Sequence, residues 1–369
     1  MMTYALKTIL IALAAVCLLA HADTGCGSAE VAPSVGTVIP GGSMGTARAA
    51  HTATLLPDGN VLIAGGMLRS GVFTNGAELY NSAAGTFKAT GSMITARAGH
   101  TATLLPTGKV LIAGGSNDEW LSSCELYDPA TGKFSSLGNL SAQRGGSTAT
   151  LLPDGKVLFA GGFDGNLLSS AELFDSATAA FRPTGKMSMP RSAHTATLLP
   201  DGRVLIAGGG AGGRVLASAE VYDPTTGTFT LTGSMQVPRH KHGAVLLSNG
   251  NALILGGSDN RDSRGQYASA EVYHPATGTF TASANMSAGR FKIPNAVATL
   301  RNNTVLVAGG GEQLEIYDAR TGGFTLAGGR VDAARYFSTA TPLPDGKVLI
   351  TGGYDSRIEA SARAWIYKP

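Results

Sequence analysis

Lys and Arg nowhere gather into a run, charged residues make up only 14% of the 369 positions, and the formal balance is a small +3. Proteins that neutralise nucleic-acid phosphates carry a basic stripe, so nucleic acid is not an expected partner. Aromatic residues are sparse at 7%. Three cysteines, Cys17, Cys26 and Cys124, are too few and too far apart to establish a disulfide bridge. After the N-terminus no apolar run is long enough to cross a bilayer as a helix, so no transmembrane segment is expected.

The one apolar run, Thr8 to Ala20, follows Lys7, and Ala20-His21-Ala22 places small residues at a cleavage spacing. Residues 1–22 therefore read as a removable secretory signal, which would take Cys17 with it. The rival is lipoprotein processing at Cys26 in Asp23-Thr24-Gly25-Cys26, which would leave a lipid tether, although Asp23 matches the usual apolar position poorly. A secreted or periplasmic location is expected, with lipid anchoring outside the cytoplasm as the alternative. Residues 23–33 then form a linker and 34–369 a single domain, expected to be a monomer.

Glycine, by contrast, is abundant at 51 residues. Gly65, Gly114, Gly161, Gly208, Gly256, Gly309 and Gly352 each begin a Gly-Gly pair and mark seven copies of a unit of about 48 residues. In the clearest copy ARAGHTATLLPTGKVLIAGG runs from Ala96, a variable stretch follows, and CELYDPATGKF ends at Phe134. HTATLL alternates and VLIAGG is a continuous apolar run stopped by glycine, so both read as strands. Pro57-Asp58-Gly59, Pro153-Asp154-Gly155, Pro200-Asp201-Gly202 and Pro344-Asp345-Gly346 supply the hairpin turns between them. Glu-Leu-Tyr-Asp-Pro makes a third strand and Ala-Thr-Gly-Thr-Phe turns into a fourth. The expected fold is all-β: a seven-bladed propeller with four antiparallel strands per blade, the Ala/Thr-rich first strand innermost where space is least. The seventh unit stops at Pro369 without a fourth strand, and Gly36-Thr37-Val38 with Gly42-Ser43-Met44 matches Gly227-Thr228-Phe229 with Gly233-Ser234-Met235. The N-terminal segment should therefore complete the last blade and close the ring.

The paired glycines, the Glu-x-Tyr-Asp that follows and the Arg-x-x-His entering the next unit resemble the kelch repeat over nearly the whole mature chain. The resemblance implies a kelch-type propeller and leaves function open, because that family includes protein-binding modules, a copper oxidase of the galactose oxidase type and periplasmic sugar-processing proteins. The oxidase site needs two tyrosines, two histidines and a thioether-linked cysteine. Here Cys124 replaces the Ala of Ser-Ala-Glu-Leu-Tyr, and His274 of Tyr273-His274 sits at the Asp of the Asp-Pro turn, so no cofactor or metal site is assigned.

A residue present in every copy serves the unit, whereas one found once is free to serve a site. Arg48, Arg97, Arg144, Arg191, Arg239, Arg290 and Arg335 recur throughout, and Glu78, Glu125, Glu172, Glu220, Glu271 and Glu315 recur in six copies, with Trp365 in the seventh. Matching numbers of both signs favour paired structural charges over an anion-capturing ring. His51, His100, His194 and His242, one per blade, read as packing residues rather than metal ligands. Gly208, Gly210 and Gly213 fit G-x-G-x-x-G, but the next element is a strand, so no dinucleotide site is expected.

Loops joining second to third strands should share a face with the inter-blade loops, and there the copies differ most. Singular charged and aromatic residues gather on blades five to seven: His240, Lys241 and His242, then Asp259, Arg261, Asp262 and Arg264 in the longest loop, then Lys292 and Tyr336. These are the candidate ligand-binding residues. With no catalytic constellation in view, the expected function is extracytoplasmic binding or scaffolding, with a glycan, small anionic ligand or protein held on the variable face. The alternative is a carbohydrate-processing enzyme such as an epimerase or mutarotase, with His240, His242, Asp259 and Asp262 as its acid and base.

Overall fold

Each Pro-Asp-Gly turn closes a hairpin in the way its residues suggest. Asp58, Asp154, Asp201 and Asp345 accept the backbone N–H two residues on at 3.0–3.1 Å, and the following glycines take φ near +85°. The computed structural model describes residues 35–69 and 71–369. The signal segment and the whole linker, Cys26 included, lie outside the described residues, and with them the lipid tether and any pairing of Cys26 with Cys124.

The hairpins assemble into seven four-stranded antiparallel sheets. Blade two is representative: Thr101–Leu104, Val110–Ala113, Ser123–Asp128 and Lys133–Asn139 follow one another outward from the axis. Its second strand is buried along its whole length, because both its faces pack against neighbouring blades, which is why that strand reads as an unbroken apolar run. Leu62, Ala64 and Ala77 of blade one meet Val110, Ile112 and Tyr127 of blade two in one such layer, and six similar layers complete the core. The third-strand Tyr or Phe packs on the fourth-strand Phe, as in Tyr127–Phe134 at 4.8 Å.

Paired glycines stitch blade to blade. The second glycine of each pair donates its N–H to the carbonyl of the next blade's Arg, from Gly66 to Arg97 through to Gly353, whose acceptor is Arg48. The first glycine is obligatory for two reasons: Gly65 has φ +64°, and a Cβ there would lie 2.6 Å from the Arg97 carbonyl oxygen. Closure occurs as the repeat phase requires. Thr37–Ser43 pairs antiparallel with Arg363–Lys368, setting Val38 opposite Tyr367 and Ile39 opposite Ile366. The N-terminal strand thus covers the outer edge of blade seven.

The repeated charges are structural. Six Arg–Glu pairs sit 2.7–3.0 Å apart and nearly all are fully buried. Arg97 also donates to the carbonyls of Gly114 and Ser123, and Glu125 accepts the N–H groups of Ile94 and Thr95 in the incoming loop. One pair therefore fastens three segments. In blade seven Arg335 lies over Trp365 at 5.9 Å, and its carboxylate partner is Asp332, 2.8 Å away. The four histidines each share a hydrogen bond of 2.8–3.1 Å with a Thr of the preceding blade. Burial holds their pKa values low, at about 3 for His100 and His194. Gly210–Ala211 pairs with Arg214–Val215 as a small hairpin, with no helix for a phosphate.

Blade six departs from the pattern. Arg290 bonds the Gly309 carbonyl 19 residues on, where Arg97 reaches Gly114 across 17. The two extra residues form a turn at Ile293–Ala296, closed by the Ala296 N–H on the Ile293 carbonyl, just ahead of the shortened strand Val297–Thr299.

Candidate functional site

First strands of neighbouring blades contact one another around the whole ring, and Thr339–Pro342 meets Thr52–Leu55 to finish it. They enclose a central cavity of about 600 Å³ with threonines on its wall, among them Thr52, Thr101, Thr148, Thr195 and Thr339. That volume suits a small-molecule site. The variable loops open at one end of it: isolated bridges tie inter-blade loops to the loops after Gly-Gly, as in Ala98–Ser116, His240–Ser258 and Tyr336–Tyr354.

At this mouth the chain crosses each blade in a left-handed conformation. Ala50, Gly99, Gly146, Ala193, Lys241, Lys292 and Phe337 all have φ between +52° and +63°. Left-handed backbone costs a non-glycine residue roughly 1–2 kcal/mol, and it recurs here because it allows hydrogen bonds from blade to blade. Phe337 donates to Lys292, Ala50 to Phe337, Gly99 to Ala50, Ala193 to Gly146 and Lys241 to Ala193, at 2.8–3.0 Å.

Side chains break this symmetry. The two residues after each Arg are small on blades one to four: Ala49-Ala50, Ala98-Gly99, Gly145-Gly146 and Ser192-Ala193. On blades five to seven they are His240-Lys241, Phe291-Lys292 and Tyr336-Phe337. Trp120, from the variable loop of blade two, lies over the small sector. It stands edge-on to Phe163 at 5.2 Å, and a Cβ at Gly145 would overlap its ring. Trp120, Lys241, Asn295 and Phe337 line the same cavity, and the blade-six turn is what brings Pro294 and Asn295 to it.

The structure brings some of the sequence candidates together. The Asp262 carboxylate lies 2.7 Å from Lys241, 3.5 Å from Lys292 and 3.7 Å from His240. Burial raises its pKa, but the Lys241 hydrogen bond and the charges of Lys241 and Lys292 prevail and hold it below the usual carboxylate range. His240 is pushed low by burial and then by Lys241, against the opposing pull of Asp262, so its imidazole is neutral at pH 7. Its Nε2 also meets the Asp259 carbonyl at 3.1 Å. Lys292 lies over Phe291, Phe337 and Tyr354 at 4.8–5.9 Å, and Tyr336 packs on Phe291 at 4.9 Å.

Other candidates stand apart. His242 is fully buried and bonded to Thr195 in the inner-strand layer. It follows Lys241 directly, but the left-handed residue turns the chain between them. The Asp259 carboxylate is taken up by Arg261 within its own loop. Arg264 is exposed. Of the proposed acid–base groups, His240 lies beside Asp262 and the Asp259 backbone, and none of His240, His242, Asp259 and Asp262 lines the cavity. Sequence reasoning passed over Trp120, Pro294 and Asn295. Trp120 was visible as a singular aromatic in a variable stretch, and the turn was visible as the longer spacing from Arg290 to Gly309.

Among the described residues no three His, Cys, Asp or Glu side chains are placed to hold a metal ion. Cys124 is buried, with its thiol pushed up to about 12 mainly by desolvation, and five of the six histidines among the described residues are engaged with threonines. This donor set does not fit a copper centre of the oxidase kind. No helix among the described residues is long and apolar enough to cross a membrane.

Comparison with solved structures finds a fungal alcohol oxidase of the AA5 family in complex with copper. It is 17% identical with a TM-score of 0.72, and the match covers 90% of this chain and 76% of that one. Likeness at that identity is a likeness of fold. No curated protein matches the chain. The family model of the kelch motif matches residues 96–141 and 191–236, which are the second and fourth units, and the other five share their Arg and Gly-Gly framework. The chain folds as a seven-bladed β-propeller that carries kelch motifs in its second and fourth units.

Proposed function

We propose that this propeller is a binding module acting outside the cytoplasm, and that its ligand is a small polar molecule or the end of a glycan entering the central cavity from the variable-loop face. The observation that carries this reading is the one-sided mouth. Small residues on four blades leave room beneath Trp120, while Lys241, Asn295 and Phe337 supply polar and apolar contacts on the same cavity. A purely structural ring has no need of that asymmetry, because the Gly-Gly to Arg hydrogen bond is the same at all seven junctions. An indole face and a few convergent polar groups suit a ligand that is flat on one side and hydroxylated on the other. Binding is preferred to catalysis because the available acid and base groups do not line the cavity. Export rests on the apolar run before Ala22.

A glycan array probed with the mature protein, followed by titration of the hits, tests the site. Trp120→Ala should abolish binding while leaving the melting temperature within about 2 °C, since Trp120 is only half-buried. Binding that survives Trp120→Ala and is lost instead on altering the hairpin-turn face would place the ligand elsewhere.

A further inference from the structure

Two cations at the mouth, Lys241 and Lys292, share a single carboxylate, that of Asp262. The neighbouring acid is already committed, because Asp259 is held by Arg261, and His240 is neutral beside them. Asp262 reaches the lysines from the tip of the longest variable loop, in the short 3-10 turn Asp262–Arg264, with a left-handed φ of +56° that an Asp adopts at a cost. Its loop is anchored at its base by the His240–Ser258 bridge, and the backbone of the turn is held by local bonds such as Gly265 to Asp262. Lys241, the better-bonded partner, is also a cavity-lining residue.

From this geometry we infer that the Lys241–Lys292 pair is an oxyanion site and that Asp262 is its tethered stand-in, which a carboxylate or phosphate group of the ligand displaces. The inference rests on the mouth being the binding site and adds the ligand's charge class. With Asp262 withdrawn, two ammonium groups face one another beside the cavity, and one incoming oxyanion restores the balance. Lys292 stays in place without Asp262 because Phe291, Phe337 and Tyr354 surround it. Asp262 thereby weakens binding of every competing anion, as an intramolecular ligand at an effective concentration on the order of millimolar does. The same contact makes loop opening and ligand entry one event.

The test uses two plain probes, inorganic phosphate and acetate, titrated by calorimetry into the wild-type protein, Asp262→Asn and Asp262→Ser, with thermal melts to confirm folding. Removing the tethered carboxylate should tighten binding of at least one probe about tenfold or more. Adding Lys241→Met and Lys292→Met to Asp262→Asn should remove that gain. Preference for phosphate or for acetate identifies which oxyanion the site suits. The inference is overturned if neither Asp262 variant binds either probe more tightly than wild type, or if the gain survives loss of both lysines. Trp120-dependent glycan binding is scored separately. If it persists without anion unmasking, the binding reading stands and the oxyanion inference fails; unmasking without any Trp120-dependent ligand gives the reverse.

Discussion

Arg97→Ala removes a side chain that is wholly buried and bonded to Glu125, Ser123 and the carbonyls of Gly114 and Ser123. The substitution leaves the Glu125 carboxylate buried with two backbone N–H donors but no cation. Breaking one partner of a buried ion pair costs about 3–5 kcal/mol. A domain of roughly 330 residues has an unfolding entropy of about 0.7 kcal/mol/K, so the melting temperature should fall by about 4–7 °C.

Blade seven supplies the internal control. Arg335 occupies the same place, but its acid, Asp332, is about a quarter exposed and keeps Arg363 at 3.1 Å when Arg335 is gone. Arg335→Ala should therefore cost only about 1–2 kcal/mol, or about 1–3 °C, a value closer to that of an exposed pair. Differential scanning calorimetry of both variants, with urea midpoints as a second probe, measures the contrast. Equal losses would refute the assignment of the cost to desolvated charge, and an unchanged melt for Arg97→Ala would refute the structural role of the whole Arg–Glu series.

Acid should destabilise the ring through its histidines. His100 and His194 have folded pKa values of about 3, below the unfolded value of about 6.5, so the unfolded chain takes up their protons first. Their contribution is complete above about pH 6.5 and is lost as pH falls toward 3, at about 1.4 kcal/mol per pH unit for each histidine. His100→Ser, which copies the residue at Ser147 and Ser338, should reduce the slope of stability against pH by about one proton; an unaltered slope would show that His100 does not titrate on unfolding. For the paired glycines, Gly65→Ala should lower the urea midpoint well beyond Gly71→Ala. Both have φ near +70°, but only Gly65 faces the next blade's carbonyl, while Gly71 has open space. Comparable losses would mean that left-handed strain alone, and not the blade junction, explains the glycine.

What the sequence made legible follows from repetition. Seven copies of one unit expose the strands, the turns and the Arg–Glu pairs, since each of these is a local pattern or a fixed spacing. Ring closure was equally readable, because Thr37 and Val38 carry the phase that the seventh unit lacks. The left-handed ring at the mouth was hidden, as Ala50, Lys241 and Phe337 share no residue type and their φ is imposed by hydrogen bonds between blades. Blade seven was legible only in part: Trp365, at the Glu position, does present its ring to Arg335, but the carboxylate partner, Asp332, lies three residues before Arg335, outside the repeated spacing.

The grouping of singular residues on blades five to seven gains its meaning from what lies opposite. His240, Lys241, Lys292 and Tyr336 stand out as letters, but alignment of the seven copies shows that they occupy two backbone positions that on blades one to four hold only Ala, Gly or Ser. Those two positions are held in place by the blade framework, so the side chains there can change without altering the junctions that carry stability. On the binding reading proposed above, the ring separates folding from recognition: the repeated Arg, Glu and Gly-Gly define the scaffold, and the residues immediately after each Arg, with the variable loops, carry the recognition. Trp120 obeys the same logic from the other side, because the two glycines of blade three, Gly145 and Gly146, leave the space that its ring overhangs.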